Sequence, residues 1–412
     1  MSFLLLVILS TVLVEFYALR AVKRLFKSKR AVVVYMICSL VILAFFAFSI
    51  LGIDRTVGQT HFSLMVLAFI LLYSLTKITI MAVLLAEDIY RGMLFLYTRI
   101  FTPKKEKVTF TPSRRKFVSQ LALGIAAIPF FSILYGIFEG KYNFKVFRQG
   151  IFFKDLPESF DGLKVLQISD IHCGSFDNKS KIEYAVDLIN EQDFDVLVFT
   201  GDLVNNFAWE MDDWIAIFNR IKTPKFGKFS ILGNHDYGEY TIWKSEAEKQ
   251  KNFEAIKSLH QKIGFQLLLN ENVFLEKNNE KIAIVGVENW GDITRFQRRG
   301  DLDKASQNLK TEDFKILLSH DPSHFEQKVK NHPKNFQLTL SGHTHGMQFG
   351  VEIPEVFKWS PIQYVYKYWA GLYQEMGKFL YVNRGFGFHA YSGRVGIFPE
   401  ITVLELKKAQ KN

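Results

Sequence analysis

The chain has 412 residues, 49% of them hydrophobic, and a formal net charge of +10. This length exceeds one ordinary domain, and a change of composition near residue 140 separates an apolar region from one with a normal mix of charges. The excess lysine and arginine stands beside apolar runs, which is typical of membrane topology and argues against a nucleic-acid-binding protein. The two cysteines, Cys38 and Cys173, lie in different regions, so no disulfide is expected between them.

Residues 1–140 predict a membrane anchor. Four largely apolar runs are each long enough to cross a hydrocarbon core of ~30 Å as a helix. The alternative, a soluble domain, would need four buried helices that are apolar almost all round, which is the weaker interpretation. The four predicted spans cover residues 2–22, 31–53, 62–86 and 117–138.

The loops between the spans predict an orientation. Residues 23–30 and 91–116 are rich in lysine and arginine, whereas residues 54–61 contain one arginine, beside an aspartate. Because basic loops stay in the cytoplasm, we expect the N-terminus to lie outside. Four crossings then place everything after residue 140 outside as well, in a multi-pass protein of the cell (inner) membrane.

The stretch SRRKFV, residues 113–118, has two interpretations. Arg114 and Arg115 ahead of an apolar helix resemble a twin-arginine export signal, which moves proteins already folded around their cofactors. The same two arginines are also ordinary positive-inside charges. The position of the pair behind three other predicted helices leaves both interpretations open.

Glu15 and Lys77 are ionisable residues deep inside predicted spans. Both lie at a similar depth from the cytoplasmic end, so they can pair and offset the cost of burying either charge alone. A structural pair is one interpretation, and a path for protons or substrate is the other.

Residues 150–407 predict an α/β domain. β-rich apolar runs such as LKVLQISDIH, FDVLVFTGDLV and FKILLSHDP alternate with helical patterns at residues 179–191 and 245–263. Such an alternation builds a sheet-based core. Binding sites in open α/β sheets form where the strand ends converge.

Polar residues recur at the ends of these apolar runs. Side chains two apart on an extended segment point the same way, so Asp170 with His172, and His343 with His345, can each present two ligands to one point. Each motif alone is compatible with a turn or a hydrogen-bonded histidine. Five occurrences in order favour a metal site. Its candidate ligands are Asp170, His172, Asp202, Asn234, His320, His343 and His345.

The chemistry of this set indicates the kind of metal. Imidazole, carboxylate and one carboxamide, without a thiolate, suit Mn, Fe, Zn or Co better than a structural zinc site. Seven ligands are too many for one ion and fit two divalent ions. If Asp202 bridges, each ion has four protein ligands and open positions for water and substrate.

The series Asp170-x-His172, Gly201-Asp202, Gly233-Asn234-His235-Asp236, His320 and Gly342-His343-Thr344-His345 resembles the motifs of the calcineurin-like metallophosphoesterases. The C-terminal stretch LYVNRGFGFHAYSGRVGIFPEITVLEL is similar to the membrane-associated bacterial branch, some members of which are twin-arginine exported. The resemblance covers about residues 150–407. It implies a four-layer α/β sandwich of two mixed sheets.

The resemblance also implies roles for individual residues. One metal would be held by Asp170, His172, Asp202 and His345, and the other by Asp202, Asn234, His320 and His343. A hydroxide bridging the metals would attack a phosphate monoester, diester or pyrophosphate. His235 would be catalytic, placed over the leaving group, rather than a ligand.

Asn205 departs from the family pattern, because members commonly have an acid at this position. If that acid supports the catalytic histidine, Asn205 can orient His235 but cannot stabilise its positive charge. Asp236 is the candidate to compensate. Cys173 is expected to be a small neighbour of the ligands rather than a ligand.

The substrate is the least determined feature. The aromatic segment FGVEIPEVFKWSPIQYVYKYWAGLY, residues 349–373, either forms an apolar wall near the metals or at the membrane, or packs as an ordinary insertion against the core. Arg384 and Trp290 are candidate substrate contacts. Arg394 is either an anion contact or a surface charge.

Three functions remain open. The leading prediction is a membrane-anchored phosphoesterase with an extracytoplasmic site and a lipid-linked substrate. The alternatives are an extracytoplasmic hydrolase of nucleotides or small phosphoesters, and a non-catalytic metal-binding membrane scaffold. The bilayer is an expected partner, nucleic acid is not, and the oligomeric state is left open.

Overall fold

The computed structural model describes residues 2–26, 28–101, 112–293, 296–353 and 356–409. The chain forms two compact units. The membrane unit comprises Met1–Ile53 and Met65–Tyr135, and the α/β unit comprises Asp54–Leu64 and Gly136–Asn412.

Long helices fill the membrane unit. The second, the third and residues 114–138 of the fourth are long and apolar enough to cross a membrane. The first coincides with the predicted span 2–22, and some of its side chains lie outside the described residues. These helices are α1 (Ser2–Leu25), α2 (Lys29–Leu51), α3 (His61–Phe101) and α4 (Pro112–Phe138).

Helix α3 extends well beyond the predicted boundary at residue 86 and takes up part of the predicted basic loop 91–116. Two acidic residues near that boundary are ion-paired with α1, so they do not interrupt the helix. Asp88 binds Arg20, and Glu87 lies 3.5 Å from Arg24. The centre of the predicted loop, residues 102–111, lies outside the described residues.

The predicted pairing of Glu15 with Lys77 is present. Lys77 Nζ donates to the two carboxylate oxygens of Glu15 at 2.7 and 2.8 Å. Ser39 and Tyr73 also donate to that carboxylate, at 2.6 and 2.8 Å. Because hydrogen bonds satisfy both charged groups, the arrangement favours a structural pair joining α1, α2 and α3.

Two six-stranded sheets form the frame of the α/β unit. The first has the order β1-β14-β2-β3-β4-β5 and the second β12-β13-β9-β8-β7-β6, and each mixes parallel with antiparallel pairs. The strands are β1 (Lys145–Phe153), β2 (Leu163–Ile168), β3 (Val196–Phe199), β4 (Lys228–Ser230), β5 (Gln266–Leu267), β6 (Glu271–Lys277), β7 (Glu280–Gly286), β8 (Phe314–Leu318), β9 (Leu338–Ser341), β10 (Val351–Ile353), β11 (Phe357–Trp359), β12 (Gly371–Glu375), β13 (Lys378–Val382) and β14 (Glu400–Lys408).

Alternation along the strands packs the two sheets face to face. Val165 and Val198 of the first sheet meet Ile284 and Ile316 of the second in the central core, while Leu166 faces the outer layer of helices. The remaining helices cover the outer faces, α5, α6 and α7 on the first sheet and α8 and α9 on the second. The predicted four-layer sandwich is therefore confirmed. These helices are α5 (Lys179–Asn190), α6 (Ile215–Phe218), α7 (Glu246–Lys262), α8 (Leu302–Ala305) and α9 (Ser323–Gln327).

Strand direction places the predicted ligands at one edge of the sandwich. Strands β2, β3 and β4 are parallel neighbours in the first sheet, and β8 and β9 are parallel neighbours in the second. All five strands run towards the segments that carry the predicted ligands. Carboxyl ends of parallel strands meet at one edge, so ligands from both sheets converge there.

The segment between α2 and α3 packs within the α/β unit. Thr241 Oγ1 donates to the carbonyl of Arg55 at 2.6 Å, and the Ile242 amide donates to the same oxygen at 3.2 Å. The Ser392 amide donates to the Leu64 carbonyl at 3.1 Å. Residues 54–64 are thus attached to the α/β unit at both ends.

Candidate metal centre

The ligand segments leave their strands through left-handed turns. The sequence pattern predicts extended backbone for Asp170 with His172 and for His343 with His345, but all four residues follow the strand ends and have φ between 47° and 74°. Asp202 shares this conformation, with φ of 60°. A left-handed non-glycine residue costs roughly 1–2 kcal/mol. The side chains are therefore brought together by strained turns, and the predicted extended geometry was wrong.

Glycine is required beside two of these turns. A Cβ on Gly342 would lie 2.2 Å from Asp170 Oδ2, and a Cβ on Gly233 would lie 2.2 Å from Asp202 Oδ1. Both distances are far below van der Waals contact. The glycines of the GHTH and GNHD motifs thus let the backbone pass directly behind a carboxylate.

The first group of converging ligand atoms comes from Asp170, His172 and His345. The Nε2 atoms of His172 and His345 lie 3.1 Å apart, and His345 Nε2 lies 3.2 Å from Asp170 Oδ1. The His343 amide donates to both Asp170 oxygens, at 2.9 and 3.0 Å, which fixes that carboxylate.

The second group comes from Asp202, His320 and His343. His320 Nε2 lies 3.2 Å from Asp202 Oδ2 and 3.3 Å from His343 Nδ1. Asn234 joins them, because its Oδ1 lies 2.7 Å from His343 Nδ1. Asn234 Nδ2 donates to the hydroxyl of Tyr240 at 2.8 Å, which turns Oδ1 towards the group.

Asp202 connects the two groups. Its Oδ2 lies 3.4 Å from His172 Nε2 and 3.2 Å from His320 Nε2, so one oxygen faces a histidine of each group. Its Oδ1 accepts the His235 amide at 2.8 Å. Asp202 thus occupies the position that a bridging ligand requires.

The outer nitrogens of three histidines are held by hydrogen bonds. His172 Nδ1 donates to Asn205 Oδ1 at 3.0 Å, and His320 Nδ1 donates to the Thr200 carbonyl at 2.7 Å. His343 Nε2 is hydrogen-bonded to Tyr366 Oη at 2.8 Å. Each inner nitrogen is then a lone-pair donor to a metal, and cations between the converging nitrogens and carboxylates would satisfy them. The residues therefore fit two divalent ions.

Charge distribution favours cations in the centre. Burial opposes ionisation of Asp202, yet His320 and His235 hold the pKa of its carboxyl well below the ordinary value. Burial likewise opposes protonation of His320, but Asp202 and Asp170 raise its pKa to about 10. The buried carboxylates thus hold a proton on His320 when no metal ion is bound. A bound cation would take over that proton's charge-balancing role.

His235 stands beside the ligands. Its Nδ1 donates to the Asn205 carbonyl at 2.9 Å, which leaves the lone pair on Nε2, and its ring centroid lies 4.9 Å from that of His172. Burial lowers the pKa of His235 to about 3, so the ring is neutral near pH 7. The imidazolium assumed from the family pattern is not the resting form.

Asn205 and Asp236 have roles other than those predicted. The Asn205 side chain supports His172, and only its backbone carbonyl supports His235. Asp236 accepts the amides of Gly233, Asp202 and Leu203 at 2.9 to 3.0 Å. Asp236 therefore holds two ligand loops together, and its described bonds do not compensate for the missing acid.

The three other predicted contacts lie in different surroundings. Arg384 is buried and paired with Glu352 and Glu400, and Trp290 stacks on His324 with ring centroids 4.9 Å apart. Arg394 is fully buried, with Nη2 3.2 Å from His345 Nδ1. These surroundings do not favour substrate contact for Arg384 or Trp290. Arg394 is a support behind a ligand, not a surface charge.

His389 belongs to the site, although the sequence argument missed it. Its ring stacks on that of His172, with centroids 4.8 Å apart, and lies 4.3 Å from that of His235. Its Nδ1 is buried, with no hydrogen-bond partner among the described residues. His389 stands seven residues beyond the end of β13, in a loop without motif spacing, so only the tertiary fold reveals it.

Comparisons with known proteins identify both parts of the chain. Residues 1–141 match the family model described as "Probable Calcineurin-like phosphoesterase, transmembrane domain". Residues 163–347 match the model described as "Calcineurin-like phosphoesterase".

Curated relatives cover well over half of the chain. A transmembrane protein with metallophosphoesterase domain from Danio rerio is 30% identical, over 70% of this chain and 62% of that protein. The chain thus spans less than two thirds of this relative. An uncharacterized metallophosphoesterase of Bacillus subtilis is 32% identical, over 61% of this chain and 82% of that protein. The chain therefore belongs to the calcineurin-like phosphoesterase family and carries that family's transmembrane domain.

Proposed function

We propose that the chain is a membrane-anchored, metal-dependent phosphoesterase that hydrolyses a lipid-linked phosphate monoester, diester or pyrophosphate outside the cytoplasm. The observation that carries the chemistry is Asp202, whose Oδ2 lies within 3.4 Å of a histidine in each ligand group. A lone cation site has no need of a carboxylate shared between two sets of ligands.

Seven residues would hold two divalent ions, Mn, Fe, Zn or Co. Asp202 would complete the first group, and Asn234 would complete the second, which already contains Asp202. When bound, such ions lower the pKa of a water molecule and neutralise phosphoryl oxygens. The residues of the first ion are Asp170, His172, Asp202 and His345, and those of the second are Asp202, Asn234, His320 and His343.

The chain's own side chains would orient the phosphate. His235 presents Nε2 on the side of the centre where its ring faces His172, and the Asn205 carbonyl fixes its tautomer. A neutral His235 reaches the protonated form only when an anionic phosphate supplies compensating charge. His235 would then donate to a phosphoryl or leaving-group oxygen.

Topology supports a site outside the cytoplasm. Residues 54–64 and residues 136–412 form one compact unit, so they must lie on the same side of a membrane. Only α3 and α4 separate these segments, and two crossings return the chain to the same side. By the positive-inside rule, the basic residues around residues 23–30 support a cytoplasmic location for the opposite side.

A lipid-linked substrate is favoured over a soluble nucleotide by the aromatic segment after the ligands. Tyr366 contacts His343 at 2.8 Å, while Tyr364 and Val365 immediately before it are 78% and 64% exposed. The metal centre is thus one or two residues from an exposed apolar surface. A nucleotide or other small phosphoester would need no such surface.

Hydrolysis by the full chain in lipid nanodiscs tests the proposal. Bis-p-nitrophenyl phosphate, p-nitrophenyl phosphate and a lipid extract would be incubated with each metal, with chelator as the control. We expect metal-dependent phosphate release, a change in lipid masses, and a loss of at least a thousandfold in Asp202→Asn. Asp193→Asn, at an exposed position on the same unit, should keep full activity.

The possible outcomes separate the alternatives. Activity on nucleotides without any change in lipids would favour an extracytoplasmic scavenging hydrolase. Two bound metals without hydrolysis of any substrate would favour a scaffold and would contradict the enzyme. A C-terminal reporter that is active only in the cytoplasm would contradict the orientation.

A further inference from the structure

Strands β10 and β11 form a separate antiparallel hairpin that follows the second histidine pair of the metal centre. Val351 pairs with Trp359, and Ile353 pairs with Phe357. Val351, Ile353 and Phe357 are 50 to 53% exposed, and Val356 at the turn is 78% exposed. The apolar side chains of this hairpin are thus directed away from the α/β unit.

The polar side chains of the hairpin are directed towards the protein instead. Glu352 accepts from Arg384 Nε at 2.9 Å, and Arg384 is held in turn by the buried Glu400. Lys358 Nζ donates to the Tyr373 hydroxyl at 3.2 Å. A solvent-exposed hairpin has the opposite alternation, with its apolar face on the core and its polar face outside. The inverted alternation indicates that the outer face meets an apolar medium.

Exposed apolar side chains also occur next to the metal centre along the chain. Tyr364 and Val365 lie in the chain between the hairpin and Tyr366, whose hydroxyl oxygen is 2.8 Å from His343 Nε2. Exposed apolar side chains grouped in this way are typical of an interaction site. We call this set the apolar rim, and it consists of Val351, Ile353, Val356, Phe357, Tyr364 and Val365.

We propose that the apolar rim inserts into the interfacial layer of the bilayer that holds the chain's own helices. Six residues, 139–144, join α4 to β1, and they can reach at most about 20 Å. The Arg394 amide, beside the metal centre, donates to Gly136 of α4 at 3.1 Å. The connection between α4 and β1 is therefore short, and phenylalanine and tyrosine are side chains that favour the membrane interface.

Insertion of the rim would bring the metal centre to the level of lipid headgroups. A phosphate attached to a lipid could then reach the ligands without leaving the bilayer, a consequence that rests on the proposed phosphoesterase function. Contact between the rim and the bilayer is a separate claim, and it has a readout independent of activity.

Depth-dependent quenching tests this contact in the full chain. Ile353→Cys, in a Cys38→Ser background, would carry an environment-sensitive fluorophore in phosphatidylcholine and phosphatidylglycerol vesicles that contain nitroxide lipids. Met376→Cys is the matched control, because Met376 is 70% exposed at the turn between β12 and β13, on a hairpin without the inverted alternation. We expect at least twofold stronger quenching at position 353 than at position 376.

Equal quenching at the two positions would overturn the proposal. So would quenching of the position 353 label by a nitroxide on a second copy of the chain in unlabelled lipid, since the rim would then be a contact between copies. Ile353→Asp with Phe357→Asp should lower hydrolysis of a lipid-linked phosphate at least tenfold and leave bis-p-nitrophenyl phosphate hydrolysis unchanged. If no substrate is hydrolysed, the quenching result still decides whether the apolar rim contacts the bilayer.

Discussion

His235 and His389 place two imidazoles beside the same ligand, His172. His389 and His235 lie 4.3 Å apart by ring centroid, and ligand atoms of all three histidines lie within 4.8 Å of one another. His389 is thus as close to the metal centre as the histidine of the GNHD motif. Its Nδ1, which has no hydrogen-bond partner in the part of the chain that the structure describes, is suited to a group that arrives with the substrate.

We expect His389→Gln to lower kcat about 10- to 100-fold and to leave the proposed metal content of two ions per chain unchanged, because His389 is additional to the seven proposed ligands. Steady-state kinetics with metal analysis by mass spectrometry would measure both quantities. His332→Gln is the control, since His332 pairs with Asp303 outside the metal centre. Loss of one ion in the His389 variant would instead make it a ligand.

At the scale of elements, apolar runs predicted the strands that carry ligands. Runs ending at Ile168, Phe199 and Leu318 became β2, β3 and β8 because these buried strands are mostly apolar. The edge strand β1 was missed, since its burial is irregular and its partner β14 lies at the other end of the chain. Left-handed turns at the ligands were also missed, because tertiary contacts impose them on residues whose local preference is different.

Helix α7 contains a buried histidine that makes stability depend on pH. His260 is fully buried and contacts Ser230 Oγ at 2.9 Å, and burial lowers its pKa to about 3 from the ordinary 6.5. As pH falls below 6.5, the unfolded chain binds a proton that folded His260 does not. The free energy of unfolding should therefore decrease by about 1.4 kcal/mol per pH unit for this residue, until pH approaches 3.

Glutamine at position 260 keeps a hydrogen-bond partner for Ser230 but binds no proton. The His260→Gln variant should therefore lose less free energy of unfolding on acidification than the original chain, by the amount that one histidine contributes. Unfolding of the full chain in detergent at pH 7 and pH 5 would measure it. His324 is also buried, and its pKa is also lowered, so it contributes the same pH-dependent loss of stability to both proteins. Identical losses in the two proteins would contradict the assignment.

At the scale of the whole molecule, a hydrogen-bond network joins the helices of the membrane unit. Glu15, Ser39, Tyr73 and Lys77 join three helices by hydrogen bonds of 2.6 to 2.8 Å. The depth of Glu15 and Lys77 in the predicted spans indicated that they can pair, but the roles of Ser39 and Tyr73 were not predicted, because a polar residue in an apolar run does not reveal its partner. The network keeps a charged pair satisfied away from water.

We expect Lys77→Met to lower the thermal midpoint of the membrane unit by several degrees, because it leaves the Glu15 carboxylate without its counter-charge. The double variant Glu15→Gln with Lys77→Met should recover most of that loss. Thermal unfolding of the full chain in detergent, followed by helix signal, would measure both changes. A double variant no more stable than the single one would show that the pair is more than a charge balance.

The left-handed turns of the metal centre imply a conflict between thermal stability and function. His345 has φ of 51°, a conformation that glycine adopts without penalty and histidine does not. His345→Gly should therefore raise the thermal midpoint of the chelator-treated protein while eliminating hydrolysis. Such positions contribute the placement of the ligand side chains and not the stability of the fold, so a variant selected only for heat resistance is expected to lose them first.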